Sequence, residues 1–420
     1  MYLQIEIKNI LIIFYCIIYM LCCGVKQHAT GAEQILTTKN ESYDILLKYV
    51  LSISHDDLHL PLQDADRLKN TVELLSCMRS KEIIIPMSKF LNYNTTVWTS
   101  RGFKDDIFAA ALARISDYDC VVEPLNIEDN LTYVSPESKL CKLYRSLMPF
   151  DSIIVLIEDY IDTRENTMSE KEKKSIRVLH RNLLFLKKSF AERSITYSPL
   201  PFKPISNYTL NHPLYKARQA TIKSNIELAQ RILKETKNFT SINSETKTKL
   251  LAAVDELAKV RSVEAIEVIT PILLLQSDKE IENLDKKYFS LRKYPVGVAL
   301  VKIGIPSIWG LLDEIAKHSG NNSDEYRKIA SDVMSSILIK KVIPGFVNEQ
   351  LVKYKDNELA QIRLAKLLPL LDEDQTKIAL LKPQFRIWKS SDGLFETRAK
   401  FISIDKKNDI TLEKENGKQT

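Results

Sequence analysis

The sequence predicts a mostly α-helical protein made of stacked helical hairpins, followed by a small β module. Three observations predict it. Residues 294–316, YPVGVALVKIGIPSIWGLLDEIA, read as one antiparallel helix pair too small to bury its own apolar face. Matching stretches recur 182 and 188 positions apart, the mark of a repeat architecture. After Pro383 the apolar pattern changes from helical spacing to alternation of period two.

Composition narrows the function before any motif is read. Glycine numbers 10 in 420 residues, about 2 % against a typical ~7 %. No glycines stand in G-x-G-x-x-G or G-x-x-x-x-G-K-[ST] spacing, so dinucleotide and P-loop phosphate cradles are excluded. The net charge of +6 is spread over 60 basic and 54 acidic residues. That is a mixed surface, and it predicts no nucleic-acid partner.

Residues 1–32 read as an export signal. Lys8 precedes a continuous apolar run from Ile10 to Cys23, followed by the small, polar stretch Gly24 to Ala32. The run is short of the roughly 17–25 residues that a membrane span needs. Ala29-Thr30-Gly31 offers a cleavage site, and Ala32 a second one. The expectation is an extracytoplasmic protein, periplasmic or secreted. The alternatives are anchoring by an uncleaved leader and lipid attachment at Cys22 or Cys23, which Leu21 fits poorly. Cys77, Cys120 and Cys141 then remain, odd in number and inside helical patterns. They read as small buried hydrophobes and not as a disulfide framework.

Helical repeats are expected over 40–194 and again over 214–382. At an offset of 182, Val72 matches Val254, Leu75 matches Leu257, Arg79-Ser80 matches Arg261-Ser262, and Glu82 matches Glu264. Ser80 and Ser262 are each placed to cap the N-terminus of the following helix, with a glutamate in its first turn. At an offset of 188, Ala111 to Ser116 matches Ala299 to Gly304. In the latter helix Val298, Val301 and Leu300 are expected to form the apolar stripe, closed by Gly304 with positive φ. Pro306 opens the next helix, whose inner face is Ile308, Leu311, Leu312 and Ile315.

The segments Ala299 to Gly304 with Pro306, and Leu257 to Leu274, resemble HEAT repeats, the paired-helix units of α-solenoids. That resemblance implies an α-α superhelix (a HEAT-like solenoid) and a protein-binding surface. Between the two sets lies 195–213 with Pro199, Pro201, Pro204 and Pro213, which cannot continue a helix. It is expected to be an extended connector, either a hinge or a strap burying Leu200, Phe202, Ile205, Tyr208 and Leu214.

The last segment, 383–420, alternates through Arg386/Trp388, Phe395/Thr397/Ala399/Phe401 and Ile410/Leu412, with a hairpin turn at Ser391-Asp392-Gly393. Arg386-x-Trp388, Gly393-x-Phe395, Ala399-x-Phe401, Leu412 and Gly417-Lys418 resemble the SLA homology domain, an SH3-like barrel. The resemblance implies binding of a peptide or protein. The family's further strand after the Gly417 turn is missing here, which would leave one barrel edge open.

Candidate chemistry is sparse. His55-Asp56-Asp57-Leu58-His59 has histidines at i and i+4, as zinc binding requires, but aspartate replaces the general-base glutamate and no third ligand stands nearby. It reads as a loop before Pro61. Asp372-Glu373-Asp374 lacks the remaining ligands of a calcium loop, and His212 and His318 sit beside turn residues. Residues 171–193 form a basic amphipathic helix containing His180, with Ile176, Leu179, Leu183 and Leu186 inward. Its basic face suits an anionic membrane surface or another polyanion.

The sequence therefore names no catalytic, cofactor-binding or metal-ligating residue. The reading is a non-enzymatic exported scaffold or adaptor, monomeric, that engages a protein or peptide and takes no cofactor. The alternatives are a membrane-surface or polyanion-associated protein acting through 171–193, and a hydrolase or metalloenzyme with accessory repeats.

Overall fold

The computed structural model describes residues 43–53, 62–91, 107–127, 139–164, 166–192, 204–235, 242–278, 280–281, 284, 286–317, 322–371, 386–389, 396–404 and 410–414. The chain divides into two compact units, Met1–Leu371 and Asp372–Thr420. The described part of the first is helical, so the protein is mostly α.

The first unit opens with α1 (43–52). Then come α2 (Leu62–Cys77), α3 (Ile84–Phe90), α4 (Ile107–Ile115), α5 (Asp119–Val122), α6 (Lys139–Leu147), α7 (Phe150–Arg164) and α8 (Glu170–Glu192). The short α9 (Asn207–Asn211) leads into α10 (Pro213–Glu235), α11 (Ser244–Lys259), α12 (Ile266–Ile269), α13 (Pro295–Ile303) and α14 (Pro306–Lys317). The unit ends with α15 (Ser323–Ile337), α16 (Ile343–Lys353), α17 (Glu358–Ala365) and α18 (Leu368–Leu371). A 3-10 turn follows or precedes several of these, at Lys81–Ile83, Glu123–Asn126, Thr270–Ile272 and Lys340–Val342.

Two halves of this unit repeat one another. α2 buries Leu68, Val72 and Leu75; α11 buries Leu250, Val254 and Leu257, each 182 residues later. α4 buries Phe108, Ala111, Leu112 and Ile115; α13 buries Val296, Ala299, Leu300 and Ile303, each 188 later. The packing order repeats as well. α2 packs on α4 and α4 on α6, as α11 packs on α13 and α13 on α15; α7 packs on α8 as α16 packs on α17. Full burial of side chains of this size stabilises by about 1.5–3 kcal/mol each, so the shared apolar positions alone keep the two halves alike.

The inner face of α13 differs from the expectation. Val298 and Val301 are only half-buried, while Val296, Leu300 and Ile303 point inward. The helix PVGVALVKI is apolar on nearly every side, so periodicity does not select its face. In α14 the expected face of Ile308, Leu311, Leu312 and Ile315 is buried, and Pro306 is the first residue.

The connector is not wholly extended. Its described end folds into α9, capped by the Ser206 hydroxyl, which accepts from the Thr209 N–H. α9 packs on α2. Glu73 of α2 accepts from the Ser206 N–H at 2.7 Å and from its hydroxyl at 2.6 Å. Pro213 then opens α10 as its first residue. Leu214 and Thr209 are buried there, but Tyr208 stays 43 % exposed; Leu200 and Phe202 lie outside the described residues.

In the second unit the described strands are β1 (Arg386–Lys389), β2 (Glu396–Ile404) and β3 (Ile410–Lys414). They form an antiparallel sheet of order β1-β2-β3. Arg386 pairs with Ala399 and Lys389 with Glu396; across the other edge Ala399 pairs with Lys414 and Ile404 with Ile410. The register shifts between Phe401 and Ser403, where a bulge bends the longest strand. The expected turns at 391–393, 408–409 and 416–417 lie outside the described residues.

Candidate functional site: paired arginines where the two halves meet

The least ordinary chemistry of the helical unit lies at the ends of α2 and α11. Both helices close in the same way. After α2, the Arg79 N–H bonds the Ser76 carbonyl and the Ser80 N–H bonds that of Leu75; after α11, Arg261 bonds Ala258 and Ser262 bonds Leu257. This is the Schellman closure, which places the residue after the cap in a left-handed conformation. Glycine usually stands there. Here arginine does, with φ of 56° at Arg79 and 51° at Arg261, and such a position costs an L residue roughly 1–2 kcal/mol.

The side chains offset that strain. Arg79 donates through Nε and Nη2 to the Ile115 carbonyl at the end of α4, at 3.0 and 2.5 Å. Arg261 donates through Nε to the Lys302 carbonyl near the end of α13, at 2.9 Å. Each guanidinium thus sits at the negative end of a helix, where a cation is favoured and the last carbonyls lack partners.

The two arginines also hold each other. Arg79 Nη1 donates to the Arg261 carbonyl at 2.9 Å, and Arg261 Nη1 donates to the Arg79 carbonyl at 3.0 Å. Residue i contacts j as j contacts i, which is the pattern of a two-fold relation. One other pair of counterpart residues and one pair of counterpart helices also meet. Ser116 ends α4 at φ 51° and Gly304 ends α13 at φ 93°; the Ile305 N–H bonds the Ser116 carbonyl at 3.1 Å. A Cβ on Gly304 would lie 2.9 Å from that same oxygen. Farther along, the Ser152 hydroxyl donates to the Val342 carbonyl at 2.7 Å, and α7 packs on α16. In a linear array each hairpin touches only its neighbours, and counterparts half a chain apart never meet. Here they meet at three places, so the halves face each other across an internal pseudo-two-fold.

The charges around this seam do not obey the symmetry. Asp117, in the first half only, pairs with Arg261 Nη2 and with Lys81 Nζ, the latter at 2.6 Å. Burial pushes the Asp117 carboxyl up, but the Lys81 bond and the charges of Arg261 and Lys81 outweigh it and hold the pKa below the usual range. Burial, reinforced by the neighbouring cations Arg261 and Arg218, pulls Arg79 down to about 9; it remains charged at neutral pH. Arg218 of α10 adds a third buried guanidinium, donating through Nη2 to the Val260 carbonyl at 2.9 Å.

Neither serine caps the following helix through its side chain as expected, and the two differ in what they hold instead. The Ser262 hydroxyl accepts from the Ala265 N–H at 3.2 Å and donates to Glu264. The Ser80 hydroxyl caps nothing; it lies 2.6 Å from Tyr43 Oη and donates to Glu82 at 2.7 Å. Tyr43 of α1 occupies the place that a cap bond would take.

These groups are placed to clamp helix ends together. Their donors point at helix-end carbonyls. The nearby Cys120 thiol is fully buried and pushed up to about 12 by that burial, so it stays protonated. Cys77, Cys120 and Cys141 are buried, and among the described residues no disulfide joins them. His180 lies 3.1 Å from a Glu158 carboxylate oxygen, an ordinary inter-helix contact. His212 stacks near Tyr208 at 5.6 Å. Among the described residues no group of three or more His, Cys, Asp or Glu gathers as metal ligands, and no helix is long and apolar enough to cross a membrane. Residues 1–32 with Cys22 and Cys23, His55, His59, His318 and Asp372 to Asp374 lie outside the described residues.

Comparison with protein-family models, curated proteins and solved structures returns no match.

Proposed function

We propose that this chain is a non-enzymatic, exported scaffold or adaptor. Its helical repeats, resembling HEAT units, would offer a protein-binding surface, and its C-terminal SH3-like module would bind a peptide. The observation that carries the reading is the use made of the buried polar groups. Arg79, Arg218 and Arg261 bond backbone carbonyls that end helices, so their chemistry goes into holding helices together. Large apolar side chains meanwhile remain on the outside, with Phe289 58 % and Leu359 62 % exposed, and these suit contact with another protein. Two half-arrays joined along a seam would form a rigid body with outward-facing surfaces.

The test is affinity purification from the native envelope with the full chain, repeated with Phe289→Ala/Leu359→Ala and with residues 383–420 removed. A stoichiometric partner lost with either change is expected. Turnover of hydrolase substrates by the purified chain, abolished by His55→Ala or His59→Ala together with bound zinc, would overturn the reading in favour of a metalloenzyme.

A further inference from the structure

Among the described residues the outer face of α8 has no counterpart in the second half. α8 runs for 23 residues, about 35 Å at 1.5 Å per residue, whereas α17, at the same place in the packing order, has 8. Its inner face is settled: Ile176, Leu179 and Leu183 are buried, and the helix packs on α7. The opposite face carries Lys174, Arg177, Arg181, Leu184, Phe185 and Lys188, all exposed. At 100° per residue these six fall within one arc about 100° wide.

Two features of that arc belong together. Phe185 is 62 % and Leu184 42 % exposed, adjacent apolar side chains that no packing requirement of the fold explains. One turn before them stands Arg181 and one turn after them Lys188, so the apolar pair is bracketed by cations. Acids lie only at the two ends of the face, where Glu170 pairs with Lys173 and Glu192 lies 3.9 Å from Lys188. The inward-leaning basic residue Lys187 is already paired with Asp151. The middle of the face is therefore cationic with an apolar wedge at its centre.

We propose that this face of α8 docks on an anionic lipid surface, with Phe185 and Leu184 entering the headgroup boundary and Lys174, Arg177, Arg181 and Lys188 meeting lipid phosphates. An interfacial helix is recognised by this division, an apolar strip flanked by lysine and arginine. Charge complementarity names the lipid as anionic. The aliphatic Leu184 beside the aromatic favours a lipid boundary over a nucleic acid, for which stacking would use the ring alone. The assignment does not rest on the scaffold reading: a scaffold would be held at a membrane by it, and a protein of another class equally so.

The experiment is sedimentation of the full chain with vesicles of phosphatidylcholine, alone and mixed with phosphatidylglycerol, across a salt series. Arg177→Gln/Arg181→Gln and Phe185→Ala are compared with the natural chain. All three positions are exposed, and circular dichroism checks that each variant keeps its helices. Expected is binding only to the anionic vesicles, weakened about thirtyfold by loss of the two charges and about tenfold by Phe185→Ala. Equal binding to both vesicles, unaffected by the variants, would assign membrane affinity elsewhere in the chain and overturn the proposal. So would binding that Phe185→Ala leaves unchanged and that an oligonucleotide displaces, since the face would then be a general polyanion site.

Discussion

Arg79 and Arg261 occupy the same place in the two halves, end the same kind of helix and share a left-handed backbone, yet their neighbours differ. Arg79 is buried to 4 % exposure and meets only carbonyls. Arg261, at 9 %, also carries the bond to Asp117. Positions 81 and 117 are Lys and Asp in the first half, where the second half has Val263 and Ile305. One carboxylate thus bonds a cation from each half, Lys81 and Arg261. The difference teaches that the seam is conserved as geometry while its charge balance is supplied from one side.

The largest expected effect breaks this pairing. Arg261→Met should lower stability by about 4 kcal/mol, because it strands a buried carboxylate with the exposed Lys81 as well as freeing two carbonyls. Arg79→Met should cost about 3 kcal/mol, since only carbonyls lose their donor. Urea denaturation gives both values; an equal or reversed order would remove Asp117 from the account. The double variant should cost about the sum, because each side chain donates to the other's backbone carbonyl, which substitution leaves in place.

The second comparison is Ser116 against Gly304. Gly304→Ala places a Cβ 2.9 Å from the Ser116 carbonyl at a φ that L residues rarely adopt, and about 2–3 kcal/mol should be lost. Ser116→Gly relaxes the matching position and should change stability by less than about 1 kcal/mol. Thermal midpoints of the two variants would decide it, and equal losses would refute the contrast between the two positions.

Acid sharpens the asymmetry further. Asp117 has its pKa depressed in the fold, so its contribution is present above the unfolded value near ~4 and lost as pH falls through the folded one. Asp117→Asn should cost about 1–2 kcal/mol at pH 7 and flatten the acid side of the stability profile. An unchanged acid limb would mean that other carboxylates carry it. Glu73 is one such carboxylate: burial raises its pKa, but the bonds from Ser206 and Thr209 prevail and lower it.

The smallest effect separates Glu73 from Asp255, its counterpart 182 residues on. Glu73 ties Ser206 to α2; Asp255 meets the surface lysines Lys259 and Lys302 at 3.0 and 3.5 Å. Glu73→Ala should cost about 1–2 kcal/mol and Asp255→Ala no more than about 0.5, read as shifts in thermal midpoint.

What the sequence made legible was whatever repeats along the chain: Val72 with Val254, Leu75 with Leu257, and the stretch closing at Gly304. Spacing carries that information because a buried helical face must be apolar in both copies. It carries none about how one copy is turned against the other, so the contact between Arg79 and Arg261 was invisible although their match was noted. The left-handed arginines were equally hidden, since glycine is the residue that announces such a position. Ser80 misled for a similar reason. Its local pattern equals that of Ser262, but a tyrosine 37 residues away takes its hydroxyl. The lysine and arginine run of α8 was readable as basic; that Leu184 and Phe185 interrupt the exposed side needed coordinates.

The mutual grip of Arg79 and Arg261 makes the peptide link between the halves secondary. A protease cut within 193–203 would sever the chain and leave in place the bonds described across the seam. The nicked molecule should therefore migrate as one particle until denatured, and fragments 1–192 and 204–420, produced apart, should find each other in solution.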